Sequence, residues 1–212
     1  MEKTNKMPLI ELAEVIADNK YILGDRLVEV GVSGPNLEAT LSSIAMAQQE
    51  LGHSRLIYRW AFDLRGVDGR VDIEDQTGKA FHHIVKISNW IELIAGLYVT
   101  NTSADLVMRA MIEADHPKIN PPFKKMLKEQ REHLIYANSW CKQLLNDKGS
   151  IPRRFREALE LAAHEASEWL QQIENNSYFI SENIIPQHSK LMQHFKKDVE
   201  DILKVGAVTN VV

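Results

Sequence analysis

Up to Arg65 the apolar residues keep a helical period that is broken at one place, Ser33-Gly34-Pro35-Asn36. Leu12, Val15 and Ile16, then Ile22 and Leu23, then Leu27 and Val30 recur at the spacing of one helix face, which predicts a first helix over residues 8–31. Glycine and proline side by side stop that helix and start the next. The second is predicted over 36–65, with Leu37, Leu41, Ile44 and Leu51 on one side. A connection this short leaves two long helices as antiparallel neighbours.

The rest of the chain repeats the theme after a longer link. Residues 66–77 shift to Gly and Asp and read as a crossover connection. A third helix is predicted over 78–114, broken or kinked at Asn101-Thr102-Ser103. His116-Pro117 and Pro121-Pro122 end it and start a fourth over 122–146. Lys148-Gly149-Ser150 closes the fourth, with Gly149 near the cap position. A fifth follows Pro152 with Phe155, Leu159, Ala162, Ala166, Trp169 and Ile173 on its stripe. A looser segment after Asn175-Asn176 leads to a shorter helix over 187–204. Long helix, tight turn, long helix, crossover, long helix, tight turn, long helix is the order of a ferritin-like four-helix bundle. The expectation is an all-α, single-domain chain over 1–212, with the bundle core over about 8–147 and additional C-terminal helices over about 152–204.

Composition narrows the function classes. A net charge of −4 is not that of a nucleic-acid binder, which needs a basic surplus. Cys141 is the only cysteine, so no intrachain disulfide forms and a reducing compartment is expected. Residues 1–7 are polar with no apolar stretch of a signal peptide behind them, and no apolar run is long enough to span a membrane. These features predict a cytoplasmic location and no membrane partner.

Glu50 and His53, at i and i+3, point from one helix face. Met46, Ile57 and Trp60 flank them on that face. A carboxylate and an imidazole in an apolar stripe need partners, and in helical bundles an inward Glu-x-x-His is commonly a metal site, often with two irons. The alternative is a Glu–His pair hydrogen-bonded near the helix surface. In the fourth helix Glu129, Gln130 and His133 lie within about a turn, and His133 shares a stripe with Phe123, Met126, Ala137 and Trp140. Counting from the turn, His133 stands level with Asp105 of the third helix, which sits among Tyr98, Met108 and Ile112. The same count from the first turn sets Glu50 level with Lys20 and Tyr21, with Asp18 and Asp25 about a turn away.

A complete carboxylate di-iron site uses four carboxylates and two histidines. Here Gln130 occupies the place of a glutamate, and the first helix has none at the matching height. Glu129 is the candidate to replace Gln130; Asp25 or Asp18 would replace the missing glutamate only with a shift of the helix. Two histidines with Glu50 and Asp105 suffice for a single zinc or iron ion by ligand type. The other reading is a remnant site whose polar residues hydrogen-bond one another. His82-His83, His116, His164, His188 and His194 lack ligand spacing. Trp60, Trp90, Trp140 and Trp169 read as core or interface anchors, and Arg153-Arg154-Phe155-Arg156 as a solvated helix start.

Four stretches resemble one family. They are Tyr21-Ile22-Leu23-Gly24-Asp25-Arg26-Leu27-Val28-Glu29, Gly34-Pro35, Glu50-Leu51-Gly52-His53-Ser54-Arg55 and Lys128-Glu129-Gln130-Arg131-Glu132-His133. They are similar to the phenylacetic acid catabolism proteins, the ferritin-like A and C subunits of the multicomponent phenylacetyl-CoA epoxidase. The resemblance covers residues 8–147 and implies one of two functions. The catalytic type of subunit shares Glu50-to-His53 and implies a non-haem di-iron monooxygenase that uses iron and O2 on an aromatic acyl-CoA. The structural type shares Asp18-Asn19 and the Leu23-to-Glu29 segment and implies a metal-free scaffold that pairs with a catalytic homologue. Gln130 and Tyr21 depart from the catalytic type; Glu50 and His53 depart from the structural type. Either way the implied partner is a second ferritin-like chain, as homodimer or hetero-oligomer.

Overall fold

The computed structural model describes residues 7–67, 73, 75–115 and 122–205. The expectations for His116-Pro117, for Pro121 and for positions 68–72 and 74 of the 66–77 link lie outside those residues. Among the described residues there is no strand, and the regular structure is helical throughout: α1 Met7–Glu29, a 3-10 turn Gly31–Ser33, α2 Leu37–Arg65, α3 His82–Val85, α4 Trp90–Glu113, α5 Pro122–Leu145, α6 Ile151–Glu174, α7 Ser177–Ser181 and α8 Leu191–Val205. The chain is all-α with the helix order of a ferritin-like bundle. It divides into two compact units, residues 1–85 and 86–212.

The first unit is the α1–α2 hairpin with α3. Asn36 caps α2, its side chain accepting from the Ala39 N–H at 2.8 Å. Gly66 ends α2 in the left-handed region, at φ 74, which a glycine adopts without strain. Side-chain links run from Glu14 to Arg65, Asp18 to Tyr58, Ala17 to Ser54 and Lys20 to Glu50. Positions rise along α1 as they fall along α2, so the helices are antiparallel. They come close at Gly24, where a Cβ would stand 2.8 Å from Leu51 Cγ and 3.2 Å from the Ala47 carbonyl.

Leu37, Leu41 and Ile44 are 74%, 57% and 39% exposed, so that stripe is not the core face of α2. The buried face carries Ala39, Ser43, Met46, Ala47, Glu50, His53, Ser54, Ile57, Tyr58, Ala61 and Leu64. Small residues recur along it because α1 approaches closely, and close approach leaves no room for a leucine row.

In the second unit α4 packs against α5 and α6, and α8 packs on α4, α5 and α6. Nearly every residue from Leu93 to Met111 is buried, as expected of a helix apolar on all sides. The predicted helix over 78–114 is instead a short α3 and a separate α4. The break falls at Ser88-Asn89, where Asn89 accepts from the Glu92 N–H at 3.1 Å and Glu92 accepts from the Ser88 N–H at 2.9 Å. No break occurs at Asn101-Thr102-Ser103. Ser103 returns its hydroxyl to the Thr100 carbonyl at 3.1 Å, and the helix runs on. Trp90 and Trp140 meet in a T-shaped arrangement, centroids 5.0 Å apart, and both residues are half-buried.

Candidate metal centre

Glu50 and His53 lie on the buried face of α2, at 0% and 2% exposure. The antiparallel register that sets Glu50 level with residue 20 brings Lys20 to it: the ammonium Nζ lies 2.8 Å from Glu50 Oε2, and neither side chain reaches solvent. Ser54, one position past His53, donates its hydroxyl to the Ala17 carbonyl at 2.9 Å and fixes that register.

The two aspartates weighed as replacements on α1 lie elsewhere. Asp25 is exposed and paired with Arg26 at 2.7 Å. Asp18 is buried but fully engaged: it accepts from the Tyr58 hydroxyl, the Thr77 N–H at 2.9 Å, the Thr77 hydroxyl at 2.9 Å and the Lys79 N–H at 2.6 Å. Burial, and then the bond to the Asp18 carboxylate, push the Tyr58 phenol well above its ordinary range. Beside it Asn19 accepts from the Phe81 N–H at 2.7 Å, and the buried carboxylate of Glu14 takes both Arg65 and Lys79. Two consecutive turns of α1 thus bind the 77–81 segment. Sequence reading noticed Asp18-Asn19 but gave it no partner.

In the second unit His133 is 1% exposed and shares the buried face of α5 with Phe123, Met126, Gln130, Ala137 and Cys141. Gln130, not Glu129, is the inward residue at that level. Its amide Nε2 donates to the Asn101 carbonyl at 2.8 Å. Glu129 is only partly buried, with Lys125 at 3.7 Å on the preceding turn. Asp105 is held by Arg109 of its own helix, Nε to Oδ2 at 2.5 Å and NH2 to Oδ1 at 3.3 Å, which raises the guanidinium pKa.

The donor set does not fit a carboxylate-bridged pair of iron ions. Such a pair needs anionic ligands to balance its charge, yet a lysine ammonium already neutralises Glu50. The glutamate place on α5 is an amide whose N–H₂ is engaged, and Asp25, Asp105 and Glu129 each face a cation one to four residues away on their own helix. Among the described residues no group of three or more His, Cys, Asp or Glu side chains forms a set able to hold a metal ion.

Long, capped helices in an antiparallel hairpin, with a Glu-x-x-His turned inward, define a ferritin-like helical protein. A model of the family described as phenylacetic acid catabolic protein matches residues 1–209. The chain belongs to that family. Comparison with curated proteins finds no match. No helix among the described residues is long and apolar enough to cross a membrane.

Proposed function

We propose that this chain is the scaffold type of subunit in a phenylacetyl-CoA epoxidase-like assembly, pairing with a ferritin-like homologue that carries the oxidative chemistry on an aromatic acyl-CoA. The observation that carries the reading is the buried Lys20–Glu50 pair. A covalently attached cation sits against the carboxylate that an iron ion would otherwise use, so the interior is neutralised without metal. Family membership supports a place in phenylacetic acid catabolism. The Asp18 and Glu14 clamps on the 77–81 segment support a rigid body built for assembly.

The test is elemental analysis of protein expressed with iron in excess, joined to reconstitution with a catalytic homologue. The expected result is iron far below one ion per chain, together with a stable complex whose epoxidase activity depends on this chain. One or two tightly held irons per chain would overturn the proposal and return Glu50, His53 and His133 to a ligand role.

A further inference from the structure

The outer face of α5 takes no part in the interior described above. At about 100° per residue, Lys124, Lys128, Arg131, Ile135 and Lys142 fall within an arc of about 60°, along about 27 Å of helix, and every one of them is exposed. No Asp or Glu of α5 enters that arc: Glu129 and Glu132 stand to one side, where Glu129 has Lys125 at 3.7 Å. None of the stripe cations makes an ion pair among the described residues. Exposed cations of α6 and α8 are matched on their own helices, Arg153 with Glu157 at 2.8 Å and Lys204 with Asp201 at 3.1 Å. Lys124 and Lys128, at i and i+4, and Lys128 and Arg131, at i and i+3, set like charges side by side, which weakens a helix. The chain carries a net charge of −4, so the stripe runs against its overall sign. Ile135, 62% exposed, lies between Arg131 and Lys142 in that row.

We infer that this stripe docks the carboxylate-lined face of an acidic partner protein. The charges are complementary, and the layout is that of a protein interface, an apolar centre inside a charged rim. Ile135 packs on an apolar side chain of the partner while Lys128, Arg131 and Lys142 meet carboxylates around it, Arg131 with the fork that suits a bidentate contact. Other polyanions fit less well. A phosphate backbone offers Ile135 nothing to pack on, and a membrane surface requires a broad apolar face below the cations, where this stripe has one apolar residue. Cations at a rim chiefly speed and orient encounter, so the complex forms fast and weakens steeply with salt. The inference stands apart from the scaffold proposal: the partner is recognised by its charge, and iron content does not bear on it.

The experiment uses the full chain and a labelled helical peptide whose one face carries a row of Glu around a central Leu. Binding is read by fluorescence anisotropy at about 50 mM and about 300 mM salt. Saturable binding is expected at the lower salt, at least about tenfold weaker at the higher, and absent for the same peptide with Gln in place of each Glu. Lys128→Glu combined with Arg131→Glu should weaken binding at least about tenfold, and Ile135→Ser about threefold, with circular dichroism unchanged. Lys196→Glu combined with Lys197→Glu makes the same change of charge at exposed positions of α8 and should leave binding within about twofold. No saturable binding overturns the inference. So does an equal loss in the α8 pair, which would mean attraction to the chain in general. Inorganic polyphosphate, or vesicles containing phosphatidylserine, binding as tightly through the same residues would also overturn it, because the partner would then not be a protein.

Discussion

The ammonium of Lys20 stands 2.8 Å from the carboxylate of Glu50, and both side chains are fully buried. Bringing two charges out of water costs several kcal/mol each, and their mutual attraction offsets that cost only while both are present. Replacing Lys20 by Met keeps the volume of the stem and removes the charge. Lys20→Met is expected to destabilise the protein by about 3–5 kcal/mol, as for other broken buried pairs. Lys20→Met combined with Glu50→Leu should recover part of that loss, because no lone carboxylate is then left inside. Urea denaturation of the two variants against the parent measures both; equal loss in single and double variants contradicts the pairing.

Asp18 holds α1 to the 77–79 segment through the Thr77 and Lys79 N–H groups and the Thr77 hydroxyl, and to α2 through the Tyr58 hydroxyl. Asn offers one acceptor oxygen in place of two and carries no charge, so Asp18→Asn loses charge-assisted bonds and strands buried donors. A loss of about 2–4 kcal/mol is expected. Hydrogen exchange gives a sharper readout: the Thr77 and Lys79 amides should lose protection in the variant, while α5 and α6 amides shift only by the global change.

The hairpin was legible in the sequence because its signals are local. Asn36 and Gly66 are cap residues at the two ends of one apolar period, and the structure places the helix between them. What sequence could not supply was the identity of partners across the hairpin. Counting from the turn put residue 20 beside Glu50, but a search for carboxylates at that height passes over a lysine. Leu37, Leu41 and Ile44 form an apolar stripe on one side of α2, yet all three are exposed. The true inner face is marked by Ala39, Ser43, Ala47 and Ala61, whose value lies in their smallness, and hydrophobicity does not score smallness. The split at Ser88-Asn89 was missed although the Asn89-to-Glu92 capping spacing was there to read. The polar Asn101-Thr102-Ser103 triplet was a stronger breaker signal locally, and burial of α4 overrode it.

Gly24 and Leu51 test how tightly the hairpin is packed. A methyl at position 24 would lie 2.8 Å from Leu51 Cγ and 3.2 Å from the Ala47 carbonyl, and the carbonyl belongs to a helix that cannot give way. Alanine recovers about 1 kcal/mol of helix propensity, but overpacking costs about 1–3 kcal/mol. Gly24→Ala is therefore close to neutral or destabilising, and Gly24→Val clearly destabilising, by about 2 kcal/mol or more. In a Leu51→Ala background the clash with Cγ is gone, so the cost of Gly24→Val should shrink. A double-mutant cycle by chemical denaturation measures this, and strict additivity contradicts the contact.

The last expectation concerns alkaline pH. Burial and the hydrogen bond to Asp18 raise the phenol pKa of Tyr58; burial and the charge of Asp198 raise that of Tyr98, whose hydroxyl also donates to the Asp198 carbonyl at 3.1 Å. In the unfolded chain both revert to the ordinary phenol value of 10.0. A group whose folded pKa lies above its unfolded pKa contributes stability that is complete below the unfolded value and declines as pH rises beyond it. Burial likewise raises the Cys141 thiol from its ordinary value of 9.0, so stability should begin to decline near pH 9 and fall more steeply above about pH 10, since the unfolded state sheds protons that the folded state keeps. Absorbance at the tyrosinate band should show the exposed phenols titrating first, and Tyr58 and Tyr98 ionising together with loss of helical circular dichroism. Tyr58→Phe should lower stability at neutral pH, because Asp18 loses a donor, and should flatten the decline above pH 10, because one of the linked protons is gone. An unchanged slope in that variant would mean that Tyr58 ionises in the folded protein and is not locked against Asp18.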